Sequence, residues 1–301
     1  MLRRASFRAM GSTISLAGPR LSDTQIARVR RDFRRWERAW SRFRPGSALC
    51  RLNRRAGHPT RLDRPTFRLV ETALAAAHWT DGLVTPTILP ALLAAGYDRT
   101  FADLPADSPA RPAPPLGEWS AIRLDPSNAT ITLPVGSPID LGGVAKGYLA
   151  DRIVRRHHGP ILIDAGGDIA LSGPLPGGAP WPIGIDDPLE PDRLLALVAV
   201  AKGGVATSGR DFRRWRQGGQ ERHHLIDPRT GEPARTDVLT ATVVASSAVV
   251  AEAAAKVVLL RGAEAGLRWI AEHPSLAALV VREDGSLVTS RRFETLLWKA
   301  S

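Results

Sequence analysis

Cysteine is almost absent from this 301-residue chain: Cys50 stands alone. That excludes an internal disulfide, and so far from the N-terminus Cys50 does not read as a lipid-attachment cysteine. Long hydrophobic runs are also missing, so no segment is expected to cross a membrane. Arg3 and Arg4 open the chain, but Gly11, Ser12 and Thr13 interrupt any apolar stretch behind them, and no signal peptide is read. The expectation is therefore a cytoplasmic protein, or an exported one if the true start lies upstream of Met1. Lysine is scarce too. Of 41 Lys plus Arg, four are lysine: Lys146, Lys202, Lys256 and Lys299. Where arginine supplies nearly all generic positive charge, a lysine in an apolar or Gly-rich setting stands out, and Lys146 and Lys256 occupy such settings. No internal repeat is present.

The remaining composition is that of an ordinary globular chain, 44% hydrophobic and 24% charged. It is long enough to bury a large core and is read as one domain over 1–301. The net charge of +11 raises nucleic acid as a partner, but the arginines are scattered except between Arg28 and Arg55. There they alternate with Trp36, Trp40 and Phe43, as on a helix with a solvated basic face, and no nucleic-acid partner is expected.

Residues 5–17 read as a strand broken near Met10–Thr13. Ile26, Val29, Phe33, Trp36 and Trp40 fall at helical spacing over 22–40. Ser47 is placed to cap a short helix through Asn53. Further helices fit 65–80, 89–95, 143–158, 247–261 and 263–273, and the 247–261 helix is so rich in Ala and Val that it must be buried. Leu83–Thr87 is expected to be extended, because a residue before proline avoids helical angles. The Pro-, Ala- and Asp-rich stretch 101–117 reads as a surface excursion. Strands fit 119–124, 129–133, 161–165 continuing through 169–172, 181–185, 194–200, 203–209 and 239–246, with a hairpin over 276–290. Strands and helices mix without strict alternation, which predicts an α+β fold.

The stretch Ile139 to Asp151 joins an apolar segment to a helix through Gly142-Gly143 and carries Asp140, Lys146 and Asp151. Adjacent glycines let a backbone approach a phosphate, and a helix N-terminus favours anions. The same residues also suit a simple turn with solvated charges, and the stretch by itself leaves both readings open.

Seven segments together resemble the ApbE family of flavin transferases. They are Met10-Gly11-Ser12; Ser41 to Ser47 with Asn53; Asp81 to Thr87; Asp140 to Asp151; Asp164-Ala165-Gly166-Gly167-Asp168; Ala206 to Gly209; and His224 to Gly231. The resemblance implies a compact α+β, T-fold-like architecture of mixed sheets with FAD in a central cleft. It implies Mg²⁺-dependent cleavage of FAD, transfer of FMN to a Thr or Ser of an acceptor protein, and release of AMP. It implies that Met10, Phe43, Leu83, Val84, Thr85, Asp140, Lys146 and Ile226 contact FAD and that His224 is the general base. Read as residues alone, Met10 and Ile226 equally suit the core, Phe43 a helix end, and Asp140 a turn. His223 beside His224 leaves open which imidazole serves, since neighbours on a strand face opposite ways.

The chain departs from the family where the metal would bind. The resemblance implies Gly143 and an acidic residue of the late helix, here Glu252, as ligands with a threonine near them. That threonine is Lys256 in this chain, and Ala255 offers no donor. Thr85 also stands where the family more often has aspartate. Mg²⁺ demands oxygen ligands, which an ammonium cannot supply. The expectation is that Lys256, tethered by Glu252, takes the cation's place. Two outcomes follow: transfer without Mg²⁺, or an FAD-binding protein that does not transfer FMN.

Overall fold

The computed structural model describes residues 2–190 and 192–298; Lys299 lies outside them. The chain divides into two compact units, one of residues 1–31, 146–211 and 235–301, the other of 32–145 and 212–234. Helices and mixed sheets make it an α+β protein.

The first unit is built on an eight-stranded antiparallel sheet. In spatial order its strands are Arg3–Ala9, Ser12–Gly18, Leu162–Ala165, Asp168–Leu171, Gly203–Gly209, Val238–Ala245, Ala277–Arg282 and Leu287–Thr289. Two chain reversals here differ from the sequence expectation. Residues 5–17 form a hairpin rather than one broken strand, turning at Met10 and Gly11, both with positive φ (51° and 68°). Likewise 161–172 reverses at Gly166 and Gly167 (70° and 93°). A two-residue turn with both φ positive matches the twist of a hairpin. Glycine adopts it without strain; Met10 holds it against the steric preference of an L residue.

Alternation along the strands gives the sheet two different faces. Val205, Val244, Leu279 and Val281 pack with Leu171, Val198 and Phe293 and with Trp181, Ile183 and Ile185 of the Trp181–Asp186/Leu194–Val200 ribbon. The other face carries the helix Ala248–Arg261. Gly204 permits this: a Cβ there would lie 2.2 Å from the Ala248 nitrogen. The helix is buried nearly all round, as its Ala/Val content predicts. Its first turn is held twice. Ser247 Oγ accepts from Val250 N–H, and the buried Asp151 carboxylate of helix Ala145–Val154 accepts from Ala248 and Val249 N–H at 2.9 and 3.1 Å. Burial pushes the Asp151 carboxyl up, and those two amides pull it back. Asp151→Ala orphans one buried and one partly buried donor, and orphaned buried donors cost about 1–3 kcal/mol each. The expected loss is several kcal/mol in urea unfolding, and a loss near zero would contradict the capping role.

The second unit contains the helices Ala48–Arg54, Arg64–Trp79 and Leu89–Ala94. It also holds a three-stranded sheet of Thr60–Arg61, Thr130–Thr132 and Arg123–Asp125, and two small hairpins. Ser47 caps the first of these helices, its Oγ accepting from Cys50 N–H at 2.9 Å. Thr85 is extended as expected, but Pro86–Ile88 then makes a 3₁₀ turn rather than continuing it. The segment 101–117 is mostly exposed and irregular. The hairpin Arg214–Gln217/Gln220–His223 is fastened to the Leu89–Ala94 helix region by Trp215 Nε1 to Ala95 O and Gln217 Nε2 to Ala94 O, each 2.7 Å. The long helix Asp23–Trp40 buries all five residues of its predicted apolar face. No described helix is long and apolar enough to cross a membrane.

Candidate active site

In the second unit the Gly-Gly segment is fixed by its neighbours. Asn53 forms a two-point clamp on Ile139, its Nδ2 donating to Ile139 O and its Oδ1 accepting from Ile139 N–H, both at 2.9 Å. Asp140 N–H donates to Pro86 O at 2.8 Å. The Asp140 carboxylate accepts from Gly142 N–H at 2.8 Å and pairs with Arg42 Nε at 3.3 Å. Arg42 was not foreseen from sequence. Its guanidinium lies 4.1 Å from the Phe43 ring centroid and 4.5 Å from that of Tyr97. Arg42 and Asp140 are 7% and 13% exposed in their side chains, so this is a buried ion pair roofed by aromatic faces. Burial pulls the Arg42 guanidinium below its ordinary value, with Asp140 pulling it back up.

Phe43 and Ile226 share one apolar cluster with Ala91, Leu92, Ala95, Tyr97 and Trp215. Leu83 and Val84 are buried, and Thr85 Oγ1 hydrogen-bonds Thr87 Oγ1 at 2.8 Å. The histidine pair is separated by its hydrogen bonds. His223 is buried, with Nε2 3.0 Å from Ala234 O and Nδ1 accepting from Leu225 N–H at 3.3 Å. One neutral tautomer, protonated at Nε2, satisfies both contacts. His223 is thereby a structural residue, which leaves His224, half-buried and one residue beyond the strand that His223 ends, as the candidate base.

In the first unit a charged cluster forms on the buried helix. Lys256 Nζ donates to Glu252 Oε1 at 3.0 Å, with side-chain exposures of 17% and 5%. Lys146, in the first turn of the Ala145–Val154 helix, pairs with the buried Asp168. The fields of Asp168, Lys256 and Lys146 all reach Glu252. Asp164 accepts from Gly167 N–H at 2.8 Å, and burial pushes its carboxyl up. Of the residues named from sequence, Lys146, Glu252 and Lys256 fall in this one cluster; Met10 is in the hairpin turn of the same unit.

The donors offered here do not fit Mg²⁺. Glu252 Oε2 is buried without a hydrogen-bond donor, but one carboxylate oxygen is far short of an octahedral set. Its other oxygen already holds an ammonium. A dication about 4 Å from that ammonium would meet repulsion on the order of 8 kcal/mol even at an effective dielectric near 20. Among the described residues no group of three or more His, Cys, Asp or Glu is placed to hold a metal.

Burial, and next the negative field of Asp168, push the Glu252 carboxyl up to about 7, while Lys256 and Lys146 pull it down. The fold therefore binds this proton more tightly than the unfolded chain does. The contribution is complete below about pH 4.5 and is lost as pH rises through about 7. Glu252→Gln should flatten the fall in stability between pH 5 and pH 8. An unchanged slope in denaturant titrations at the two pH values would contradict this.

A profile of the ApbE family matches residues 10–280. The chain belongs to the ApbE family. It is 28% identical over 290 residues to the FAD:protein FMN transferase of Klebsiella pneumoniae (strain 342), covering 93% of this chain and 89% of that one. It is 33% identical over 271 residues to the FAD:protein FMN transferase of Treponema pallidum, covering 82% and 74%. The crystal structure of an ApbE protein from Thermotoga maritima superposes with a TM-score of 0.87 at 26% identity, covering 99% of this chain and all of that one. Within this ApbE framework Arg42 and Asp168 are the residues that sequence reading passed over as site residues. Arg42 is one of many arginines, and Asp168 is visible only as the end of a Gly-Gly segment.

Proposed function

We propose that this ApbE-family chain is an FAD:protein FMN transferase. The observation that carries the reading is its similarity, over nearly the full length of both chains, to proteins of that name. Nothing favours the alternative of an FAD-binding protein that does not transfer FMN.

In the proposed reaction a Thr or Ser hydroxyl of the acceptor protein attacks the FMN phosphorus of FAD. The new O–P bond forms as the bond between that phosphorus and the bridging pyrophosphate oxygen breaks. AMP departs with the bridging oxygen and its electron pair. His224, as neutral imidazole, takes the hydroxyl proton, which ends on AMP or in solvent. Lys146, fixed by Asp168, and Lys256, fixed by Glu252, supply positive charge to the diphosphate, where negative charge grows in the transition state. Phe43 offers an aromatic surface for the flavin ring, and Met10, Leu83, Val84, Thr85, Asp140 and Ile226 are proposed to contact FAD with it.

The test is incubation of the protein with FAD and a peptide carrying Thr in an acidic, Gly-rich context, followed by denaturing gel electrophoresis and flavin fluorescence. Covalently fluorescent peptide is expected. FAD that is bound but still intact after long incubation would favour the non-transferring alternative.

A further inference from the structure

We infer that Lys256 is a built-in substitute for the divalent cation, so that this chain engages the FAD diphosphate without Mg²⁺. The inference rests on the transferase reading and goes beyond it by specifying how the site is charged. Three observations carry it. The Lys256 ammonium is positioned rather than mobile: Glu252 Oε1 holds it at 3.0 Å, one helical turn away on the same buried helix. A second lysine, Lys146, is held in the same electrostatic neighbourhood by Asp168. These are two of only four lysines among 41 Lys plus Arg.

The chemistry favours lysine here. An ammonium is a compact point charge with three donors, suited to phosphate oxygens. It can offset charge on a diphosphate as a metal does, although it cannot activate an oxygen by coordination. The proton transfer is therefore left wholly to a side chain, in keeping with the role proposed for His224. A carboxylate tether four residues earlier fixes the ammonium, so that FAD binding need not immobilise a long side chain.

The experiment is FAD titration of the purified full chain, followed by quenching of flavin fluorescence, in EDTA and in excess MgCl₂. The dissociation constant is expected to agree within about twofold between the two buffers, well under the tenfold that 1.4 kcal/mol represents. Lys256→Thr should weaken FAD binding in EDTA by about tenfold or more, and Mg²⁺ should restore it. Lys256→Arg, which retains the charge, should stay insensitive to EDTA. Wild-type affinity that collapses in EDTA overturns the inference and leaves the transferase reading standing. So does a folded Lys256→Thr whose response to Mg²⁺ equals that of the wild type. If Lys256→Thr does not fold, the wild-type and Lys256→Arg titrations decide the matter. Failure to bind FAD in either buffer overturns both the inference and the transferase reading.

Discussion

His224→Ala is expected to lower the rate of flavin transfer by about two to four orders of magnitude, the usual contribution of a positioned general base. FAD affinity should change by less than about twofold, because the proposed role begins only when the acceptor hydroxyl attacks. The neighbouring substitution should behave in the opposite way. His223→Ala removes a ring that bridges Ala234 O and Leu225 N–H inside the second unit. It should cost about 1–3 kcal/mol of stability and leave the turnover of the folded fraction close to wild type. Single-turnover rates for both variants, with their urea midpoints, separate the two roles. A His224→Ala enzyme with wild-type turnover, or a His223→Ala enzyme that folds normally and is inactive, would reverse the assignment.

Arg42→Met should cost about 3–5 kcal/mol of stability. Removing one partner of a buried ion pair leaves the other charge uncompensated. Here Asp140 would keep the hydrogen bond from Gly142 N–H and lose the guanidinium, while Phe43 and Tyr97 would lose the cation between them. The double substitution Arg42→Met/Asp140→Asn removes the stranded charge as well. It should recover part of the loss, so that the two effects are strongly non-additive. Additive losses in denaturant unfolding would show that the pair is not coupled. Since Asp140 anchors the segment leading to Gly142-Gly143, Arg42→Met is also expected to weaken FAD binding.

Elements set by periodicity or by strong punctuation were legible in the chain. The Asp23–Trp40 helix follows from five apolar residues at helical spacing, and the burial of Ala248–Arg261 follows from a composition with almost no polar face. Chain reversals were harder to read. Gly166-Gly167 carries the hairpin signature, yet the apolar residues on both sides read equally well as one continuing strand. Met10-Gly11 lacks the signature, because methionine is an unusual occupant of a left-handed turn position. Strain of that kind collects at functional sites, which agrees with the role proposed for Met10. The Arg214–His223 hairpin escaped notice although Gly218-Gly219 marks its turn.

In the candidate site, the Glu252–Lys256 pairing was legible because a four-residue spacing on a buried helix leaves two charges little choice but each other. The partners of Asp140 and Lys146 were not, because Arg42 and Asp168 lie 98 and 22 residues away from them in the chain. Long-range pairing of that kind is a property of the fold rather than of local pattern. The residues of Ile226 left its role open between core and ligand contact. The fold packs it against Tyr97 and Trp215 beside Phe43, in a cluster that can be part of the core and a flavin-facing wall at once.

The transferase reading requires that this chain moves FMN onto a protein hydroxyl and does not merely bind FAD. The most direct measurement is the intact mass of a Thr-containing acceptor peptide after incubation with FAD in parallel samples of EDTA and of excess MgCl₂, with AMP quantified in each. The expected product is a peptide heavier by one FMN less one water, with one AMP for each modified peptide. An unmodified peptide beside intact FAD, or AMP released without covalent flavin, in both samples would contradict FMN transfer.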